Sequence, residues 1–124
     1  MFRELAHDGP AAAALLLEAA VRGGASRVEV HRSADWYMVC SPDDWLADLA
    51  GVDPFVDLVP FPAFGQNAVR PEVIVTSSSR VLVTTDSGGA RVVVGSPPDI
   101  DDLFPAAHRY GRTIIFTFTE DQAH

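Results

Sequence analysis

Lysine is missing from this chain: all nine basic residues are arginine, set against seventeen acidic ones, for a net charge of −8. That balance repels phosphate rather than neutralising it, so nucleic acid is not an expected partner. Cysteine is nearly missing too. Cys40 stands alone, which excludes an internal disulfide and any metal site built from a cysteine cluster. No apolar run approaches the ~20 residues of a membrane helix. The first residues lack the basic start and long apolar stretch of a signal peptide. A cytoplasmic protein with no membrane partner is therefore expected. A lysine-free chain rich in Ala, Asp, Pro and Arg also points to a high-GC genome.

What is present suits a globular domain. The chain has 124 residues, 48% of them hydrophobic and 21% charged, enough for one core without staples. One domain over residues 1–124 is expected. Asp8-Gly9-Pro10 reads as a helix start, with a capping acid and an early proline. The helix runs through Ala11 to Arg22, apolar almost all round, and Gly23-Gly24 ends it. Arg27 to His31 alternates as a half-exposed strand, and Trp36 to Cys40 is its hairpin partner. Ser41-Pro42-Asp43-Asp44 predicts a second helix carrying Trp45, Leu46 and Leu49. Residues 53 to 71 are too rich in proline for a regular helix. Three antiparallel strands are predicted at Glu72 to Thr76, Arg80 to Thr85 and Ala90 to Gly95. A short helix starts at Pro97-Pro98-Asp99, and Thr113 to Thr119 is the last strand. This order predicts an α+β fold: a two-layer α/β sandwich with a mostly antiparallel mixed sheet and helices on one face.

The segment Leu15 to Val30, with Gly24-Ala25-Ser26-Arg27 leading into the strand, resembles the first motif of the GHKL ATPases. These are gyrase B, the large heat-shock chaperones, histidine kinases and mismatch-repair ATPases. Ser41 to Trp45 falls where that family has D-x-G-x-G, Phe64-Gly65 follows in the family's order, and Gly111 to Phe118 resembles its final G-T-x strand. The resemblance implies the Bergerat nucleotide-binding fold over nearly the whole chain. It also implies a lost function. The family's catalytic Glu aligns with Leu15, its magnesium-binding Asn with Ala19, and a further family Asp with Arg22. The adenine-reading Asp aligns with Ser41, the two glycines beside it with Asp43 and Trp45, and the threonine of the final strand with Arg112. Leucine is no general base, and alanine offers a metal no oxygen. These seven residues would outline a degenerate nucleotide pocket. No cofactor is expected.

Other residues carry a plain reading beside a sharp one. His7, His31, His108 and His124 show no metal-ligand spacing, so no metal is expected. Cys40 reads as a small buried hydrophobe before a nucleophile. Asp43, Asp44 and Asp48 could pair as acid and base, but a helix start already accounts for the first two. Asp99, Asp101 and Asp102 lack the closing Glu of a calcium loop. Trp36, Tyr37 and Trp45 fill a core or line a ligand pocket. Arg22 either reaches solvent or pairs with Asp43 or Asp44 across the pocket. Phe55, Val56, Leu58, Val59, Phe61 and Phe64 must be buried somewhere, either in the vacated pocket or at an interface with a protein partner or a second copy. The expected function is a non-catalytic binding or regulatory protein. The alternatives are a small enzyme or small-molecule binder in the remodelled pocket, and a divergent ATP-binding regulator.

Overall fold

In the computed structural model, which describes residues 8–49 and 51–118, helix α1 (Gly9–Arg22) begins where the sequence places it. Asp8 is the N-cap and accepts from the Ala11 N–H at 2.8 Å, with Pro10 in the first turn. Its composition is apolar almost all round, but its buried residues fall on one face, and Ala14, Glu18, Val21 and Arg22 on the other side are exposed. Ala12, Leu16, Ala19 and Ala20 are fully enclosed, while Glu18 and Arg22 on the outer face pair with each other.

Five strands follow: β1 (Glu29–Ser33), β2 (Trp36–Ser41), β3 (Val81–Asp86), β4 (Gly89–Val94) and β5 (Arg112–Thr117). They form one sheet in the order β1-β2-β5-β3-β4, and all four pairings are antiparallel. The expected mixed sheet is thus a purely antiparallel one among the described residues. The first hairpin turns on Ala34-Asp35, with Ala34 at a φ of 53°. The second turns on Ser87-Gly88, where the Asp86 carboxylate accepts the Gly88 N–H. Residue Thr119 of the predicted last strand lies outside the described residues, as do His7 and His124.

Two predicted elements differ. Glu72 to Thr76 belongs not to a strand but to helix α2 (Pro71–Ser78). Its six residues from Pro71 to Thr76 are all buried in succession, a pattern without the in-out alternation of a half-buried strand. Pro71 suits the first turn. The hydroxyls of Thr76, Ser77 and Ser78 then donate back to carbonyls one turn earlier. Packing of this helix against α1 overrides the strand preference of Val73, Ile74 and Val75; burial alone does not, since β2, β3 and β5 share it. Conversely, Ser41 to Leu49 forms no regular helix. Ser41 Oγ does accept the Asp43 N–H at 3.0 Å and Asp44 Oδ1 the Leu46 N–H at 3.0 Å. The carboxylates are drawn sideways to Ser26 and Arg112, however, and only isolated turns follow at Ala47 and Leu49.

The main core lies between the sheet and the helices α1 and α2, and gathers Leu16, Tyr37, Val39, Trp45, Ile74, Leu82, Ile114 and Phe116. The opposite face is also covered in part. The short helix α3 (Ile100–Leu103), capped by Asp99, and the turn at Ala107–Arg109 bring Phe104 and Ala107 over Met38, Cys40 and Ile115. The two longer helices share one face as expected, and this smaller layer was not foreseen.

Candidate functional site

Of the seven residues expected to outline a pocket, the structure sets most to work inside the chain. Ala19 is fully buried within α1, and Leu15 packs against the main core. Trp45 is buried in that core and donates its indole N–H to Glu72 at 3.2 Å. Asp43 turns outward and takes both the backbone N–H and the hydroxyl of Ser26, at 2.8 and 2.7 Å. Those two bonds, the backbone one first, hold its carboxyl below the usual range. Arg22 pairs with Glu18 and donates to the Ala63 carbonyl at 2.9 Å, with Phe64 under its guanidinium. It does not reach Asp43 or Asp44, which are held by Ser26 and Arg112.

Ser41 and Arg112 do come together, as cross-strand partners at the end of β2 and the start of β5. Arg112 then reaches Asp44 through two parallel bonds of 2.8 and 3.0 Å and donates to Thr84 Oγ1 at 3.0 Å. It forms one wall of a cleft of about 450 Å³ at the β3–β4 turn. Leu46, Val52 and Phe55 supply the apolar side, and Thr84, Asp86 and Arg91 the polar side. Arg91 is ion-paired with Asp53 across it. Burial pushes the Asp53 carboxyl up, but the bonds from Arg91 and from the Phe55 N–H outweigh this and leave it lowered. Among the seven expected pocket residues, Arg112 alone lines this cleft.

The apolar segment from 53 to 64 divides. Phe55 and Phe61 are buried within the chain itself, so neither ring is presented as an interface anchor. Phe61 lies under the Arg70 guanidinium and beside Phe64, which is half-buried like Val59. Val56 and Leu58 remain exposed, at 61% and 63%. Arg70 and Glu72 were not singled out from the sequence. They form a buried ion pair at 2.9 Å, closed by Trp45. Only the folding of residues 71–78 as a helix exposes that relationship.

A second group missed by sequence reasoning lies on the opposite face, at the edge strand β1. His31 Nε2 stands 2.9 Å from Glu29 Oε1, and the Tyr110 hydroxyl donates to the same oxygen at 3.0 Å. The His31 bond and then the Tyr110 bond hold the Glu29 carboxyl below its usual range. Cys40, directly across the hairpin from Glu29, directs its thiol to the Glu29 carbonyl at 3.7 Å. Burial pushes that thiol up to about 11. Burial, followed by the bond to Glu29, pushes the Tyr110 hydroxyl up to about 12. The signal was available: Glu-x-His on one strand, and a two-residue turn that fixes Cys40 opposite Glu29.

Comparison of the chain with protein-family models, with curated proteins and with solved structures returned no match.

Proposed function

We propose that the protein is a non-catalytic binding or regulatory domain, GHKL-like in the order of its elements, that acts through its surface rather than by turning over ATP. The observation that carries this reading is the engagement of the aligned residues with other side chains of the chain and with its core. Trp45 is tied to Glu72, Asp43 to Ser26, Arg112 to Asp44, and Ala19 is enclosed. A nucleotide would have to displace these bonds, with no carboxylate or amide at positions 15 and 19 to position water or magnesium. Among the described residues, every buried side-chain nitrogen and oxygen already has a partner, so the interior offers no waiting donor. The partner is a protein or a second copy. The exposed Val56 and Leu58 supply the apolar part of the contact.

Calorimetry with ATP and magnesium tests the first half of this proposal: no heat of binding is expected, and micromolar affinity would overturn it. Light scattering over a concentration series tests self-association, with Val56→Ser/Leu58→Ser as the control. A wild type that stays monomeric at high micromolar concentration removes the homodimer.

The cleft favours a second reading, a small polar ligand. Its volume of about 450 Å³ falls within the range of small-molecule sites. Paired Arg112 and Arg91 could exchange their carboxylates for those of a ligand. Thermal shift with small dicarboxylates, repeated on Arg91→Ala, separates this from the surface reading.

A further inference from the structure

Glu29, His31 and Cys40 bring three different metal-binding atoms to one place. Glu29 and His31 are two residues apart on β1 and so share a face. Cys40 is the cross-strand partner of Glu29 on β2. One imidazole nitrogen, one carboxylate oxygen and the sulfur all lie within 4.8 Å of one another. We infer that this cluster is a binding site for a divalent ion of the zinc class, held by Cys40 Sγ, His31 Nε2 and the Glu29 carboxylate.

The donor set selects the ion. One thiolate, one imidazole and one carboxylate match zinc and its neighbours, whereas calcium and magnesium take oxygen ligands. Zinc bonds of about 2.0 Å to nitrogen or oxygen and about 2.3 Å to sulfur place tetrahedral ligand atoms roughly 3–4 Å apart. The cluster therefore has to contract by only about 1 Å. His31 is exposed and Glu29 half-buried, so both can swing toward the sulfur while Cys40 stays fixed in its strand. Binding replaces the thiol proton, which leaves to solvent, and exchanges the His31–Glu29 hydrogen bond for two metal bonds. Tyr110 is already placed as the outer partner that orients the carboxylate, donating at 3.0 Å. Arg27 meets the other carboxylate oxygen, with its Nε 3.8 Å from Glu29 Oε2. Three protein ligands leave the fourth tetrahedral position to water.

The test is titration of the reduced, full-length protein with Co²⁺, followed by Zn²⁺ in competition. The expected result is stoichiometric binding, with a thiolate-to-cobalt charge-transfer band in the near ultraviolet and intense visible bands of tetrahedral cobalt, all removed by Zn²⁺. Cys40→Ser should abolish the charge-transfer band. His31→Ala changes an exposed side chain without touching the core, and should weaken Co²⁺ binding by about tenfold or more. His108→Ala, which breaks only the exposed pair with Asp101, should bind as the wild type does. Absence of the charge-transfer band in excess Co²⁺ overturns the proposal. So does a His31→Ala variant that binds Co²⁺ as tightly as the wild type.

Discussion

Trp45 donates its indole N–H to Glu72 Oε2 at 3.2 Å, on the oxygen that Arg70 also reaches with its second nitrogen at 3.3 Å. The carboxylate is fully enclosed, so both of its oxygens depend on these two residues. Removing one member of such a group leaves the other charge buried and uncompensated. Arg70→Ala should lower stability by about 3–5 kcal/mol, read as a lower urea midpoint. Trp45→Phe keeps an aromatic ring but loses the N–H donor and part of the buried ring volume. It should cost less, about 1.5–3 kcal/mol.

Arg112 should be irreplaceable by lysine. Its two parallel bonds to Asp44 and third bond to Thr84 use the fork of the guanidinium. Arg112→Lys is expected to lose about 1.5–3 kcal/mol in denaturant unfolding. A midpoint equal to that of the wild type would show the pair to be incidental.

Leu16 has no exposed surface and belongs to the main core. Leu16→Ala is expected to cost about 2–5 kcal/mol, checked by the same unfolding curve.

Ala34 occupies the left-handed region at a φ of 53° in the first hairpin turn. A side chain there costs roughly 1–2 kcal/mol, partly offset by the extra freedom glycine loses on folding. Ala34→Gly should therefore raise stability slightly, by about 0.5–1 kcal/mol, seen as a higher melting temperature.

The pH profile should fall at both ends. Glu29, Asp43 and Asp53 have folded values below their ordinary ones. Their contribution is present above the unfolded carboxylate range and lost as pH falls through the folded values. Cys40 and Tyr110 have raised values, from 9.0 to about 11 and from 10.0 to about 12. Below pH 9 their contribution is complete, and it is lost as pH rises through 11 and 12. Urea midpoints against pH should show the alkaline decline. In Cys40→Ala it should begin nearer the window of Tyr110.

Local signals made α1, both hairpins and α3 readable in the sequence. Asp8 and Gly23 bracket the first helix, apolar runs closed by short polar turns mark the hairpin strands, and Asp99 caps α3. What failed was decided at a distance. Val73 to Val75 has strand chemistry, but Pro71 starts a helix there that packs on α1, whereas equally enclosed runs in β2, β3 and β5 stay strands. Ser41 to Asp44 has helix-start chemistry, but Arg112, sixty-eight positions from Asp44, claims the carboxylate. The candidate sites follow the same rule. Arg112 was singled out through its resemblance to a family position, and its partner Asp44 came from the structure. The Glu29–His31–Cys40 group is the exception, because it rests on the register of one short hairpin, a local relationship that a search for ligand spacing along the chain does not express.

The sheet order β1-β2-β5-β3-β4 has a consequence for how the chain comes to be folded. Each hairpin closes over a two-residue turn, yet the strand that joins them is the last of the described strands, and Cys40 waits for Thr113. As the chain leaves the ribosome, β2 and β3 each present an unpaired edge, with apolar Trp36 to Cys40 on one and Val81 to Val83 on the other, until residues 112–117 have emerged. Those two edges are complementary to any free strand. The interval before β5 inserts is therefore when the nascent protein is most open to aggregation.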